Sequence, residues 1–183
     1  MTMKQALPFL LLLVLCACGG TENEFSRRPC NLIIENNLHN DATLASAMQP
    51  QAGIFVCITV IGASPAYFVF TNNQGLTSKS IFNAKDQQRT LILGMNGGLI
   101  VGQSFYGTFY AYDLQCPNCF DPDALPVRSR PLTFTNDGNV SCATCHRTYD
   151  LNNGGIIATG DGGKKLTRYY AATTGPYGVL SVN

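Results

Sequence analysis

The sequence predicts an all-β protein built from antiparallel layers, and three of its features support this fold class. Short runs rich in β-branched and aromatic residues, such as Ile54 to Ile61 (IFVCITVI), recur along the chain. Clusters of Asn, Asp and Gly separate these runs, and such clusters are typical of the tight turns that join strands. The apolar residues show no sustained helical period in any segment.

Residues 1–17 are predicted to be a lipoprotein signal peptide. Lys4 supplies a thin positive region, and the apolar run from Leu7 to Leu15 is too short to span a bilayer as a helix of the mature protein. The run ends in Leu15-Cys16-Ala17-Cys18-Gly19, which looks like a bacterial lipobox, so we expect Cys18 to carry the lipid. The alternative is a signal peptide that is cleaved without lipid attachment.

This resemblance implies a lipid-anchored protein of the bacterial cell envelope. Gly19, rather than an aspartate, follows the lipid-carrying cysteine, which favours the outer membrane. Several acyl chains on one cysteine hold a protein stably on a membrane, whereas a single chain gives marginal binding. Residues 18–29 are short and polar, and they are predicted to be a tether between the anchor and the domain.

Residues 30–183 have the size of a single domain. The strands predicted in its first part are Asn31 to Ile34, Ile54 to Ile61 and Ala66 to Thr71. Leu38 to Ala47 is predicted to be either a short helix or a loop. Gly75 to Gln88 is polar and carries no clear pattern, so no element is assigned to it.

Two turns are predicted in the middle of the chain. The sequence Met95-Asn-Gly-Gly98 contains an Asn-Gly pair, which is a strong signal for a β-hairpin. It is therefore expected to join a strand at Thr90 to Gly94 with a strand at Leu99 to Val101. Within Phe105 to Tyr110, Gly107 is expected to occupy a second turn.

Two Cys-x-x-Cys pairs, separated by 22 residues, carry the clearest chemical signal in the chain. Two cysteines three positions apart on a tight turn can direct both sulfurs at one point. Two such turns that face each other form a tetrahedral sulfur site, which suits zinc or iron. Pro117 and Asn118 within the first pair are turn formers. The four predicted metal ligands are Cys116, Cys119, Cys142 and Cys145.

The segment between the pairs predicts how the two cysteine loops meet. Leu132 to Thr135 is a predicted strand, and the Asp-Gly turn in Asn136-Asp-Gly-Asn139 returns the chain antiparallel to it. Val140-Ser141 then leads directly into Cys142. Residues 110–155 are therefore predicted to be a two-loop metal-binding subdomain similar to a zinc ribbon or a rubredoxin.

An oxidising envelope leaves a second interpretation of the cysteines open. The four cysteines of the two pairs would then form two disulfides and bind no metal. Cys30 and Cys57 lie outside these pairs. They either form a disulfide with each other or remain free, with Cys57 acting as a small buried apolar residue in its strand.

The residues around the cysteines allow a comparison with a known family. Tyr110-Ala-Tyr-Asp-Leu-Gln-Cys116-Pro117, followed by Cys142-x-x-Cys145-His146-x-x-Tyr149-Asp150-Leu-x-x-Gly154, resembles the Rieske [2Fe-2S] domain. In that family a strand leads into Cys-x-His, and a second loop reads Cys-x-x-His-Gly-x-x-Phe/Tyr-Asp. The resemblance extends over about residues 53–182, and it implies a Rieske-like fold of antiparallel β layers. It also allows a disulfide between the two loops, which some members carry beside the cluster.

The chain departs from the family at the histidine ligands. Alignment on Tyr149 places the two histidine positions at Asn118 and Cys145, and the chain holds only two histidines, His39 and His146. Because a Rieske cluster requires two imidazoles on one iron, a site of four thiolates is the simpler interpretation. Such a site would hold zinc or a single iron, and an all-cysteine [2Fe-2S] cluster is a further alternative.

Two neighbours of the cysteines have a possible role beside the metal. His146 either replaces a thiolate, or hydrogen-bonds a sulfur, or lies exposed on the loop without a role. The resemblance implies that the Tyr149 hydroxyl contacts a sulfur of the site, and core packing of the ring is the alternative.

The composition limits the function. A net charge of +1 without a basic cluster in the sequence argues against nucleic acid as a partner. The first interpretation is an envelope lipoprotein whose four cysteines hold one metal centre in a structural or binding role. The alternative is an iron or iron–sulfur protein that transfers electrons to an envelope redox partner. A stand-alone enzyme is not expected, because the sequence has no nucleophile–histidine–acid order and no phosphate loop.

Overall fold

The computed structural model describes residues 24–183, which form three antiparallel sheets. The predicted signal peptide and Cys18 lie outside the described residues. The strands are β1 Leu32–Glu35, β2 Ile54–Ile61, β3 Tyr67–Asn72, β4 Thr77–Ile81, β5 Gly98–Gln103, β6 Phe109–Asp113, β7 Leu132–Phe134, β8 Val140–Cys142, β9 Thr148–Asp150, β10 Ile156–Thr159, β11 Arg168–Tyr169, β12 Ala171–Thr173 and β13 Val179–Val182. The helices are α1 Asn36–His39, α2 Ala42–Ala47 and α3 Ala84–Gln88. The all-β prediction is confirmed at this level.

The largest sheet has six strands in the order β11-β6-β5-β2-β3-β4. Strand β2 lies near its centre, and successive side chains of β2 point to opposite faces. Val56 and Ile58 are buried on one face, and Phe55 is buried on the other. The strand predicted at Ile54 to Ile61 is therefore confirmed, and its nearly continuous apolar run reflects two separate cores.

The first core lies between the six-stranded sheet and a three-stranded sheet with the order β1-β13-β12. Strand β1 contributes Leu32 and Ile34, and β13 contributes Leu180 and Val182, all of them fully buried. Helix α2 adds Leu44 to the same core. None of the helices in residues 24–183 has the length and apolarity to cross a bilayer.

The second core lies on the opposite face, under a four-stranded sheet with the order β10-β9-β8-β7. Phe55 and Tyr112 of the large sheet meet Leu132, Val140 and Tyr149 of this smaller sheet. Because the smaller sheet also carries the second Cys-x-x-Cys pair, the second core is the support on which the cysteine loops rest.

The hairpin predicted around Met95-Asn-Gly-Gly98 is wrong. Strand β5 does begin at this turn, but it pairs with β2 on one side and with β6 on the other. Thr90 to Gly94 therefore finds no free edge of β5 and does not form a strand. Instead, Ile92 forms an isolated bridge with Asn31 ahead of β1.

Two other turn predictions are confirmed. Gly107 lies between β5 and β6 with a φ of 84°, and its N–H donates to the carbonyl of Ser104 at 3.1 Å. Gly138 has a φ of 81° in the turn that joins β7 to β8. Both glycines adopt the left-handed backbone that other residues disfavour. The region predicted to be helix or loop between residues 38 and 47 contains the end of α1 and all of α2.

The polar segment after β3, to which no element was assigned, folds as β4 and α3 through buried polar contacts. His39 Nε2 lies 3.1 Å from Asp86 Oδ2, and both side chains are almost fully buried. His39 Nδ1 lies 2.7 Å from Ser80 Oγ. The Asn83 side chain accepts the backbone N–H of Lys85 and Asp86 and so caps α3. These contacts join α1, β4 and α3. Because they are polar, the spacing of apolar residues in the sequence does not predict them.

Residues 24–28, which we call the N-terminal strap, belong to the predicted tether but lie against the domain. The N–H of Ser26 donates to the carbonyl of Arg168 at 2.7 Å. Arg28 forms an ion pair with Asp123 at 3.1 Å. The chain is therefore attached to the domain surface from residue 24 onward, close to the loop that follows the first cysteine pair.

Candidate metal centre

The first cysteine loop follows β6 and is a tight turn. The N–H groups of Cys119 and Phe120 both donate to the carbonyl of Cys116, at 3.2 and 2.9 Å. The N–H of Cys116 donates to the carbonyl of Arg130 at 2.9 Å, which attaches the loop to the segment before β7. The turn reverses the chain within four residues and brings the two thiols of the pair to one side.

The second cysteine loop has the same form. Cys142 ends β8, and the N–H of His146 donates to the carbonyl of Cys142 at 2.9 Å. The N–H of Cys142 donates to the carbonyl of Arg147 at 3.0 Å, so the loop closes on itself. His146 has a φ of 57°, which is left-handed backbone that glycine adopts more readily than histidine.

The two loops bring four sulfur atoms together. The sulfurs of Cys116, Cys119, Cys142 and Cys145 all lie within 4.8 Å of one another. Cys116 Sγ and Cys145 Sγ are 3.7 Å apart, which is much longer than a disulfide bond of about 2.05 Å. It is close to the edge of about 3.8 Å that a sulfur tetrahedron has when its metal–sulfur bonds are about 2.3 Å. The four cysteines are therefore able to hold one metal ion.

All six cysteines of residues 24–183 are free thiols. The alternative of two disulfides at the site is therefore wrong in this structure, as is a disulfide between Cys30 and Cys57. Cys30 belongs to the first core, whereas Cys57 lies on the opposite face of β2. The large sheet separates the two thiols, so they cannot meet without rearrangement of the fold.

A chain of hydrogen bonds leads from one sulfur to an outer loop. The Tyr149 hydroxyl lies 3.3 Å from Cys116 Sγ. Asn118 Nδ2 donates to the oxygen of this hydroxyl at 2.9 Å, which leaves the hydroxyl proton to point at the sulfur. The same amide donates to the carbonyl of Lys164 at 2.8 Å, and Asn118 Oδ1 accepts the N–H of Lys164 at 2.9 Å. Asn118 thus holds the tyrosine as a donor to Cys116.

The thiols of the site differ in their ionisation. Burial raises the pKa of Cys116 and of Cys119, and the neighbouring sulfurs raise it further, whereas hydrogen bonds from the Tyr149 hydroxyl and the Asn118 backbone act to lower the pKa of Cys116. Burial also acts to raise the pKa of Cys145, but hydrogen bonds from the backbone and side chain of Arg147 and from Cys119 and Cys116 lower it to about 6. A bound cation would favour thiolates at all four positions.

The remaining predicted site residues take different positions. Tyr149 is fully buried in the second core and contacts Cys116, so its ring serves both packing and the site. His146 is exposed, and it is not among the residues whose ligand atoms converge. Cys18 lies outside the described residues.

Two residues that the sequence did not single out act on the site. Arg147 lies beside Cys145, and its guanidinium donates to the carbonyls of Asp161 and Gly162 at 2.9 and 3.1 Å. The sequence indicated Asn118 only as a turn former and as a vacant histidine position. Its partner Lys164 is 46 residues away in the chain, so a local sequence pattern could not predict this contact.

The chain was compared with known proteins at three levels. It matches no protein-family model, no curated protein and no solved structure.

Proposed function

We propose that this protein is a lipid-anchored envelope protein of Rieske-like fold whose four cysteines bind a single metal ion in a structural role. The observation that carries the proposal is the convergence of four sulfurs from two like-built loops within 4.8 Å. One ion placed between them would have all four sulfurs as ligands. A [2Fe-2S] cluster is less well accommodated, because two irons hold their sulfur pairs farther apart than one ion does.

The short strands of the four-stranded sheet support a structural role for the metal. Its strands β7, β8 and β9 have three residues each, and β10 has four. Strands this short do not form a stable sheet by themselves in water. A structural metal contributes on the order of 10 kcal/mol to folding, which is enough to stabilise two loops on such a support.

Elemental analysis of the purified protein tests this proposal. We expect one zinc or iron per chain, and we expect Cys116→Ser or Cys142→Ser to lose the metal and to lower the melting temperature. Cys57→Ser is the matched control, because this thiol lies on β2 outside the site, and it should keep the full metal content. Full metal content in Cys116→Ser would contradict the ligand assignment.

Electron transfer through iron is the second candidate function. Two observations favour it: Cys119 and Cys145 are only partly buried, and the Tyr149 hydroxyl donates to Cys116. Exposure shortens the path to a redox partner, and hydrogen bonds to sulfur tune the potential of an iron centre. A red-brown protein with visible absorption supports this role, whereas a colourless protein with one zinc supports the structural role, because zinc has no redox chemistry.

The lipid anchor and the fold rest on separate arguments. The anchor is inferred from the lipobox-like sequence that ends in Cys18, and metabolic labelling with a fatty acid should be lost in Cys18→Ser. The Rieske-like fold is supported by three antiparallel sheets and by two cysteine loops whose four thiols converge. An experimental structure that superimposes poorly on Rieske domains would remove this part of the proposal.

A further inference from the structure

Positive side chains gather around the cysteine loops, and we call this surface the basic rim. Its members are Arg27, Arg128, Arg130, Lys164 and Lys165. Four of them are exposed and Arg130 is half-buried. Within residues 24–183 none of the five forms an ion pair. Positive charge that is not compensated on one surface attracts an anionic partner.

Contacts within the domain connect the two loops that carry Arg128, Arg130, Lys164 and Lys165. Arg27 precedes Arg28, which pairs with Asp123 in the first of these loops. Arg128 and Arg130 line one shallow concavity together with Cys119. Lys164 is bonded through its backbone to Asn118, the neighbour of Cys119 in the chain. The loop with the two arginines and the loop with the lysines therefore meet at the first cysteine loop.

Acidic residues near the rim offset only part of its charge. Asp123 pairs with Arg28 at 3.1 Å, and Glu24 pairs with Arg168 at 2.5 Å. The acids of this region without an ion pair are Asp121 and Asp161. Five cationic side chains thus face two free carboxylates, so the rim keeps a positive excess.

The loop that carries the rim arginines also presents apolar side chains to solvent. Leu125 is 95% exposed and Val127 is 48% exposed. Arg128 follows directly in the chain. An exposed leucine beside arginines is a combination that favours contact with a surface having anionic groups above an apolar layer.

The opposite side of the domain carries fewer unpaired cations, although Ile81 is exposed on β4. Lys85 and Arg89 both pair with Glu35, at 2.7 and 2.6 Å. Lys79 on β4 is exposed and forms no ion pair within the described residues. Strand β4 is four positions from β6 in the sheet, which places Lys79 about 19 Å from the strand that leads to Cys116.

The short segment between Cys18 and the domain indicates which partner the basic rim can reach. The N-terminal strap crosses the domain beside the rim, and Glu24 is only six positions after Cys18 in the chain. Six residues reach at most about 20 Å when fully extended. We propose that the basic rim and Leu125 bind the anionic headgroups of a phospholipid bilayer, so that the cysteine loops face the membrane. This inference rests on the proposed lipid anchor at Cys18, because the anchor brings the rim within reach of a bilayer.

Vesicle binding by unlipidated protein separates the rim from the anchor. The sample is the chain from residue 18 with Cys18→Ser, which retains every described strand and both cores, and its metal content is measured first. It is mixed with vesicles of phosphatidylcholine alone or with about one-third phosphatidylglycerol. We expect binding only to the anionic vesicles, and we expect high salt to abolish it because salt screens exposed charges.

Single charge reversals locate the binding surface. Arg128→Glu and Lys165→Glu should each weaken binding by at least about fivefold, since each basic residue near an anionic bilayer contributes that order of affinity. Leu125→Ala should weaken it as well. Lys79→Glu carries the same charge change on the opposite side and should bind like the parent chain.

Three outcomes would overturn the inference. They are absence of affinity for the anionic vesicles at low salt, equal binding to neutral vesicles, and an equal loss in Lys79→Glu and Arg128→Glu. Absence of affinity for the anionic vesicles would favour an acidic protein as the partner of the rim instead. Because every sample has a measured metal content, loss of vesicle binding with the metal retained contradicts the rim inference alone, whereas a parent chain without metal contradicts the proposed metal centre.

Discussion

Tyr149 and Asn118 influence the site through a single sulfur. The hydroxyl donates to Cys116, and Asn118 fixes the direction of that donation because its amide is itself held on both sides by Lys164. Burial and the neighbouring Cys116 raise the pKa of Tyr149, so the hydroxyl keeps its proton at neutral pH and remains a donor. Asn118 thus positions the hydroxyl that donates to the candidate metal centre.

We expect Tyr149→Phe and Asn118→Ala to keep the metal but to bind it about 10- to 100-fold more weakly, the usual cost of removing a group that orients a metal ligand. Competition with a coloured chelator measures this affinity. Tyr106→Phe is the control, because Tyr106 is exposed between β5 and β6, away from the sulfurs. An unchanged affinity in both variants would mean that the hydrogen-bond chain only packs the loops.

His146 occupies a backbone position that suits glycine better. Its φ of 57° lies in the left-handed region, which costs a non-glycine residue about 1–2 kcal/mol, and its side chain is exposed. We therefore expect His146→Gly to raise the free energy of unfolding by about 1 kcal/mol and His146→Ala to leave it nearly unchanged. Denaturant unfolding of the metal-bound protein measures both. A loss of metal from either variant would instead place His146 among the ligands.

The turn before β5 and the end of β6 meet at one buried carboxylate. Asp113 accepts the N–H groups of Met95 and Gln115, both at 2.7 Å, and the hydroxyl of Tyr169 at 2.8 Å. Burial raises the pKa of Asp113, and these three hydrogen bonds act in the opposite direction. The carboxylate joins β6, β11 and the turn, and it orders the residues that lead into Cys116.

Gly94 allows this turn to approach the carboxylate. A Cβ at Gly94 would lie 2.3 Å from Asp113 Oδ2, whereas a Cβ at Gly97 would meet nothing within 4 Å, although both glycines have a positive φ. We expect Gly97→Ala to cost about 1 kcal/mol, the strain of the left-handed backbone alone. Gly94→Ala should cost about 2–3 kcal/mol more, because it also disturbs a buried hydrogen-bonded group. Thermal unfolding compares the two variants, and equal losses would contradict a special role for the Asp113 contact.

The molecule as a whole consists of one large core and one small core that share the six-stranded sheet. The first core draws on β1, β13 and α2, and it includes no residue of the metal site. The second core contains Cys116 and Cys142 themselves. The stability of the two halves should therefore depend on the metal to different degrees.

Acidification should release the metal and loosen only the second core. Metal binding requires thiolates, and burial raises the pKa of Cys116 and Cys119, so protons compete with the metal more strongly as the pH falls. Cys145, with a pKa of about 6, loses its charge last. We expect metal content to fall steeply as the pH decreases toward 6.

Hydrogen exchange checks the location of this effect. After metal release the amides of β7, β8 and β9 should lose protection, while those of β1 and β13 should keep it. A chelator at neutral pH is the control that removes the metal without titrating other groups. Uniform loss of protection over both cores would show that the metal stabilises the whole domain.

The sequence by itself determined the features that depend on local geometry. The two cysteine pairs and the turns at Gly107 and Gly138 follow from residues adjacent in the chain, whose backbone preferences are set by their own chemistry. The all-β character follows from many short runs that agree with one another. The prediction of an Asn-Gly hairpin was wrong because a turn motif does not reveal that both edges of β5 are already paired, with β2 and with β6.

Only the tertiary structure decided which distant groups meet. The contacts of Asn118 with Lys164, of His39 with Asp86 and of the strap with Arg168 join residues that are far apart in the chain. The same is true of the basic rim, whose charges are scattered in the sequence and form no cluster until the loops fold together. Polar contacts of this kind are satisfied by any suitable partner that the fold brings near, so no periodic pattern in the chain records them.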